Sequence, residues 1–352
     1  MDKISFSHKL NLLKSTLVPI VRNRPYMSHI WVTRHCNIHC KFCYIRDYTD
    51  KGPSMVEIKK RLDKIKEVGC RLTVIMGGEP TTRKDIDQVV KECKRREIVS
   101  YLVTNGTLLD KKLADKLGEA GLDVISMSLD TLTPENNELV NYGKYSLDPE
   151  KKLKILRYLQ EKYDVVAFVA ICITKQDMDE VIPIMNLAKK HDLAVTLTVV
   201  ANPYVVPNIK DQNWKCEKDS VAISSKQDIK KLKVLLKKIR KMKDEGFRII
   251  DPNAYFDRVE NFLDGDKRNT CKAGKNFFDI DTSGNVMLCV MSEPTSIHYS
   301  ELSDENFDSK LKGVRTKQLR SCKDNCLLAA YFDSSYYGDH LLEYINLMSR
   351  IY

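Results

Sequence analysis

The sequence predicts an α/β fold built on a parallel sheet, and three observations carry that expectation. From residue 29 onward, six short apolar runs alternate with five amphipathic helical patterns, the order that gives strand–helix–strand units with right-handed crossovers. Several of these runs are apolar without interruption, so both faces of the sheet are expected to be covered. The chain's 352 residues exceed what one small core organises and suit a large α/β domain with an appendage. A curved, incomplete barrel and an open doubly wound sheet both satisfy the pattern.

The elements follow in order. Residues 1–27 read as a helical lead-in, with Leu10, Leu13, Leu17 and Ile20 at helical spacing. Strands are expected at 28–33, 71–76, 98–104, 123–129, 165–173 and 193–200, with helices between them at 55–68, 85–96, 111–120, 149–163 and 177–191. After Val200 the pattern changes: "ANPYVVPN" is broken by prolines, and a long basic helix follows at 226–245. "NFFDIDTSGNVMLC" (276–289) alternates around Ser283-Gly284 as a hairpin does. The organisation expected is a lead-in (1–27), the sheet domain (28–205), a connecting helical region (206–265), a small cysteine-bearing domain (266–335) and a C-terminal helix (336–352).

Composition narrows the function classes. Hydrophobic residues at 43% and charged residues at 30% suit a folded soluble chain. No run of 18 apolar residues occurs, so no membrane span is expected, and the N-terminus lacks the order of a signal peptide. A cytoplasmic location follows as an expectation. The net charge of +10 is spread over helices such as "KKLKVLLKKIRKMK" (230–243). Apolar residues at helical spacing there indicate a solvated helix face and argue against a nucleic-acid partner. Eleven cysteines in a reducing compartment point to metal or redox chemistry rather than disulfides. Seven are grouped: Cys36, Cys40 and Cys43, then Cys271, Cys289, Cys322 and Cys326. Cys70, Cys93 and Cys172 fall beside or within regular elements and read as core residues; Cys216 has no neighbour that makes it a ligand.

The unusual residues fall after strand C-termini, where parallel α/β folds place their chemistry. The three-cysteine loop follows the first strand, "GGEPTT" (77–82) the second, "TNGT" (104–107) the third and "SMSLD" (126–130) the fourth. Thiolates bind zinc or iron–sulfur clusters. For zinc, His35 or His39 would have to supply a fourth ligand, but each directly precedes a cysteine, which strains joint ligation of one ion. A [4Fe–4S] cluster on three thiolates leaves one iron open to a substrate or cofactor.

"CNIHCKFC" (36–43) resembles the CxxxCxxC signature of the radical S-adenosylmethionine (radical SAM) superfamily, and the resemblance extends from about residue 28 to 200. It implies a partial (β/α)6 barrel. It also implies that Cys36, Cys40 and Cys43 hold a [4Fe–4S] cluster whose open iron takes the methionine end of S-adenosylmethionine. Reduction, by a donor such as flavodoxin or ferredoxin, would then give methionine and a 5′-deoxyadenosyl radical that takes hydrogen from a substrate. In similar enzymes the "GGEP" motif binds the methionine amino group, so Glu79 becomes a candidate, with Gly77 and Gly78 admitting a close backbone approach. Ser128 and Asp130 resemble the polar pair that meets the ribose or carboxylate; helix capping explains them equally well. Asn105 is a ligand-side loop residue or a turn residue. Phe42 and Tyr44 are candidates to stack near the adenine, against ordinary aromatic packing. Many relatives carry S-x-D-G and then an arginine; this chain has "SLDT" (128–131), and Lys144 stands where the base is expected.

The C-terminal cysteines resemble a Twitch or SPASM extension, in which a cysteine is followed by a hairpin ending in G-x-x-x-x-C, here Gly284 to Cys289. Four cysteines suffice for one auxiliary [4Fe–4S] cluster with no open iron, or for a structural zinc site with four thiolate ligands. Asp279 and Asp281, in the hairpin, are candidate proton acceptors or strand-edge residues. The expected function is a radical SAM enzyme acting on a small molecule or biosynthetic intermediate. Twenty-seven residues before the first strand are too few for a leader-gripping winged helix, which favours that reading over a peptide or protein side-chain maturase. A zinc-binding interaction protein is the alternative from another class.

Overall fold

The computed structural model describes residues 4–43, 50–133, 140–143, 145, 147–200, 221–266, 271–290, 292, 294–321 and 327–351. Helix α1 (Phe6–Val21) leads into strand β1 (Met27–Thr33), and the cysteine loop follows with a two-residue strand β2 (His39–Cys40). Then come α2 (Met55–Glu67), β3 (Leu72–Gly77), α3 (Ile86–Arg95), β4 (Val99–Thr104), α4 (Lys111–Glu119) and β5 (Val124–Ser128). A short β6 (Val140–Asn141) precedes α5 (Pro149–Tyr163), β7 (Val166–Ile173), α6 (Val181–Lys190) and β8 (Ala194–Val199). Beyond them lie α7 (Lys226–Asp244), α8 (Asn253–Leu263), β9 (Phe277–Ile280), β10 (Val286–Met287), α9 (Phe307–Ser321), α10 (Ala329–Asp339) and α11 (Leu341–Ile351). The six expected strands and five expected helices are all present, with ends shifted by a few residues at most.

Local sequence explains the helix starts. Ser54, Asp110, Asp148 and Ser225 each accept a hydrogen bond from the backbone N–H three residues on, at 2.7–3.2 Å, which satisfies a donor that the helix leaves open. Pro149 occupies the first helical position of α5, where its missing N–H costs nothing. On the outer face the helices bury Leu62 and Ile65 of α2, Val89 of α3, Leu117 of α4, Leu156 of α5 and Ile184 of α6. Each such burial contributes about 1.5–3 kcal/mol.

The main sheet runs β10-β9-β1-β3-β4-β5-β7-β8. All neighbours pair in parallel except β9 with β10. The strands do not close, since β8 and β10 lie at the two ends of the order; this is a partial barrel. The hairpin expected at 276–289 forms, and β9 adds directly to the sheet, with Met27 opposite Phe277 and His29 opposite Asp279. The cysteine-bearing segment is thus continuous with the barrel sheet. Helices α1 and α11 cover one end of the inner face, where Leu12 and Met348 pack with Val99, Val124, Val166 and Phe168. Among the described residues no helix is long and apolar enough to cross a membrane.

Candidate active site

The strand ends bring most of the expected site residues together. Gly77 has a positive φ of 151°, and a Cβ there would meet the Thr33 carbonyl oxygen at 1.9 Å. A Cβ on Gly78 would meet the carbonyl oxygens of Arg34 and His35 at 2.4 Å. What these glycines admit is therefore the root of the cysteine loop itself. The Gly78 amide donates to Thr33 O at 2.9 Å and the Glu79 amide to His35 O at 2.8 Å, so the loop after β3 clamps the loop after β1.

Glu79 is buried, which removes the reading of a solvated turn residue. Its Oε1 accepts from the Thr81 amide (3.0 Å), Thr81 Oγ1 (2.5 Å) and Thr104 Oγ1 (2.7 Å). Its Oε2 accepts from the Asn105 amide at 2.6 Å. Burial pushes its carboxyl above the usual range, and these donors oppose the shift. Asn105 in turn donates from Nδ2 to Asn37 Oδ1 at 2.9 Å and stands 3.9 Å from Cys36 Sγ. The residues after β4 are thereby tied to the cysteine loop.

Cys36 is buried, and Cys40 and Cys43 are half-buried. Burial, with Glu79 and Cys43 close by, pushes the Cys36 thiol up to about 12. Burial raises Cys40 as well, with Cys43, Asp130 and Cys36 adding to it. The Cys43 amide donates to Cys40 O at 3.2 Å, and His39–Cys40 pairs antiparallel with Val140–Asn141. The set consists of sulfur donors that repel one another as thiolates, next to two buried carboxylates. That donor set fits an iron–sulfur cluster, whose irons would bind the thiolates and so offset part of their mutual repulsion. Among the described residues no three His, Cys, Asp or Glu side chains converge as ligands of a single ion.

Ser128 ends β5, half-buried. Asp130 is buried; its Oδ1 accepts from the Cys172 amide at 2.8 Å, and Leu129 donates to Ala170 O at 2.9 Å. Burial pushes the Asp130 carboxyl up to about 7. Phe42 is half-buried against the core. Cys172, which its strand setting marks as a core residue, has its thiol near Asp130 and Cys43. Cys70 and Cys93 are buried as expected. Tyr44, Lys144, Cys216, Cys322 and Cys326 lie outside the described residues.

At the hairpin, Cys271 and Cys289 are both half-buried. Asp281 accepts from the Asn285 amide at 2.8 Å and from its side chain at 3.2 Å, the contacts of a turn-forming residue. Asp279 is fully buried and faces two groups that the sequence does not single out. Its Oδ1 stands 2.9 Å from His29 Nδ1, and its Oδ2 accepts from the Tyr331 hydroxyl at 2.8 Å. That hydroxyl accepts from the Val290 amide at 3.1 Å, one residue beyond Cys289. The one available signal for His29 was a polar side chain inside an otherwise apolar strand; Tyr331, on a helix 302 positions away, left none.

A match to the radical SAM superfamily covers residues 30–214, more than half of the sequence. The chain belongs to the radical SAM superfamily. Radical SAM enzymes use a [4Fe–4S] cluster and S-adenosylmethionine. It is 33% identical over 186 residues to a probable GTP 3′,8-cyclase of Methanococcus vannielii, covering 51% of this chain and 59% of that protein. It is 23% identical over 270 residues to a PqqA peptide cyclase of Granulibacter bethesdensis, covering 74% and 67%. The chain spans about half the length of several curated relatives that it matches. Among solved structures, native anSMEcpe with bound AdoMet superposes with a TM-score of 0.59 at 18% identity, over 93% of this chain and 99% of that one. At that identity the likeness establishes a shared radical SAM fold.

Proposed function

We propose that this radical SAM enzyme binds its [4Fe–4S] cluster through Cys36, Cys40 and Cys43 and S-adenosylmethionine along the rim formed by Gly77, Gly78, Glu79, Asn105, Ser128 and Asp130. When bound, the cluster and S-adenosylmethionine supply a 5′-deoxyadenosyl radical, which abstracts hydrogen from the substrate. The protein's part is position: Glu79 locks the loops after β3 and β4 together, and Asn105 fixes the cysteine loop at Asn37. Phe42, next to Cys43 in sequence and packed against the core, is the candidate to stack near the adenine. The observation that carries this reading is the buried Glu79 node, because it joins three strand-end loops around the cysteines.

Cys271 and Cys289, with Cys322 and Cys326, supply the ligand count of one auxiliary [4Fe–4S] cluster in a Twitch-like segment at 266–335. An electron donor of the flavodoxin or ferredoxin kind and a small-molecule or biosynthetic-intermediate substrate complete the reading, and a cytoplasmic setting suits both clusters. Modification of a peptide side chain is the second reading. Its support is the peptide cyclase match, which covers 74% of this chain against 51% for the nucleotide cyclase match. The test is anaerobic purification and reduction with S-adenosylmethionine. A brown protein with about eight irons per chain that releases methionine and 5′-deoxyadenosine is expected. A colourless, zinc-loaded protein without that cleavage would restore the zinc-binding alternative.

A further inference from the structure

The alternation of side chains along β1 puts Met27 and His29 on the wall of a cavity of about 350 Å³ inside the curve of the sheet. The rest of the wall is largely apolar, with Leu72, Val74, Met76 and Phe168 among it. Several lining hydroxyls donate elsewhere: Tyr26 to Ser334 O at 2.7 Å, Tyr337 to Ile250 O at 2.9 Å and Tyr101 to Ser126 Oγ at 3.1 Å. No lysine or arginine is among the described residues of the wall.

His29 is only 3% exposed, and its two ring nitrogens differ in their surroundings. Parallel pairing sets it opposite Asp279 of β9, and Nδ1 stands 2.9 Å from Asp279 Oδ1. A bare ring nitrogen and a carboxylate oxygen would repel at that distance. Nδ1 therefore carries the proton, and in the neutral ring Nε2 carries the lone pair. The Nδ1–Oδ1 contact is close but off the line of a hydrogen bond; such pairs often straighten only with a ligand in place. Nδ1 is sealed from solvent. Nε2 is not sealed in this way, has no hydrogen-bond partner among the described residues, and belongs to a side chain that lines the cavity.

The support behind the imidazole is continuous. Asp279 is fully buried and is not among the described residues of the wall, so His29 stands between it and the cavity. Asp279 Oδ2 accepts from the Tyr331 hydroxyl at 2.8 Å, and that hydroxyl accepts from the Val290 amide at 3.1 Å. The Tyr331 ring lies 5.0 Å from the His29 ring. Strands β1 and β9 and helix α10 thus converge on one ring and leave one acceptor facing an apolar space. An acceptor so placed is costly to leave unpaired, and a donor carried in by a ligand would meet it.

We propose that His29 is a substrate-binding residue whose Nε2 accepts a hydrogen bond from a hydroxyl on an otherwise apolar, uncharged group held in this cavity, with Asp279 as the positioning residue that fixes the tautomer. The substrate role rests on the radical SAM reading above; the ligand class rests on His29 and the lining. A carboxylate is disfavoured, because Asp333 lies in the wall, Asp279 stands behind the ring, and no lining lysine or arginine offsets them.

The test uses the full chain, reconstituted anaerobically with its clusters and S-adenosylmethionine, in equilibrium dialysis against labelled hexan-1-ol, 1-methoxypentane and hexanoate. The first two are isomers that differ in having or lacking an O–H donor. The alcohol is expected to bind about fivefold or more tightly than the ether, the effect of one hydrogen bond to a buried acceptor, and hexanoate more weakly than the alcohol. In His29→Phe, with iron content as the check on folding, the preference for the alcohol should fall towards unity. Asp279→Asn makes a sharper demand. Oδ2 already accepts the Tyr331 hydroxyl, so the amide oxygen is held there and its NH2 faces Nδ1. The proton then moves to Nε2, the wrong tautomer, and the preference should vanish although the ring remains. A merely structural triad would lower Tm in both variants and leave the ratio unchanged. The probe comparison is made on the unaltered protein, so it stands even where a variant does not fold. Equal binding of alcohol and ether, tighter binding of hexanoate, or an undiminished preference in either folded variant would overturn the proposal. A preparation that cleaves S-adenosylmethionine but shows no alcohol preference refutes the assignment to His29 alone. One that prefers the alcohol but never cleaves S-adenosylmethionine upholds the binding site and refutes the enzymatic reading alone.

Discussion

Glu79 receives four hydrogen bonds from three residues on two loops, and replacing it separates its structural work from its charge. In Glu79→Gln one oxygen is kept, but the new NH2 must face a donor. With the oxygen turned towards Thr81 and Thr104, the Asn105 amide is left unsatisfied, at a cost of about 1–3 kcal/mol. Because Asn105 also holds Asn37 of the cysteine loop, 5′-deoxyadenosine formation should fall by roughly tenfold or more while iron content persists. Thermal unfolding and a cleavage assay on the same preparation check this; unchanged cleavage would remove Glu79 from the site. The sequence marks Glu79 through "GGEP" but cannot show its burial. Thr104 and Asn105 reach it from 25 and 26 residues away, and no local spacing encodes that approach. Cys172 illustrates the same limit. Cys172 packs against the core as its apolar run indicates, but that run does not show that its amide donates to Asp130, 42 residues away.

The elements were legible wherever their pattern is local. Apolar runs and helical spacing place β1, β3, β4, β5, β7 and β8 of the main sheet and helices α2 to α6, and the turn at Ser283-Gly284 places the hairpin. What the hairpin pairs with was not legible: β9 meets β1 from the far end of the chain, with Phe277 opposite Met27, and parallel pairing leaves no turn signature. Arg61 of α2 fastens this arrangement. It is 2% exposed, donates to Asp281 O at 2.6 Å and Thr282 O at 3.0 Å, and lies over the Tyr299 ring. Thr282 also donates to Asp50 Oδ2 at 2.6 Å, so the hairpin turn is tied to the chain just beyond the cysteine loop. Arg61→Met removes both charge-assisted bonds and leaves two carbonyls without them. A loss of roughly 2–4 kcal/mol is expected, read as a lower Tm, with the iron bound at Cys271 and Cys289 lost more readily than that at the N-terminal cysteines. An Arg61→Met protein with wild-type Tm would show that the contact does not hold the hairpin.

At the scale of the whole molecule, the buried acids set a pH dependence of unusual sign. Burial pushes the Asp251 carboxyl up to about 6 and Asp333 higher than its ordinary range, with Lys243 opposing and Tyr337 near both. A raised carboxyl means that the folded chain holds more protons than the unfolded one. This pair's contribution is therefore fully present below pH about 4 and is lost as pH rises through about 6. Asp333→Asn should accordingly raise Tm more at pH 8 than at pH 5; a gap independent of pH would refute the shift. The same continuity that buries these acids bears on the two cysteine sets. Cys36 follows β1, while Cys271 and Cys289 flank the hairpin whose β9 pairs with β1. The two cysteine sets are thus joined through one strand pair. Replacing Cys36, Cys40 and Cys43 together by Ala should abolish S-adenosylmethionine cleavage and remove about four irons, leaving the auxiliary set filled. Replacing Cys271 and Cys289 should remove the other four. Iron analysis with electron paramagnetic resonance of each variant decides the point. If either set of substitutions empties both centres while the protein stays folded, the cysteines do not form two independent sites, and the division of labour proposed for them fails.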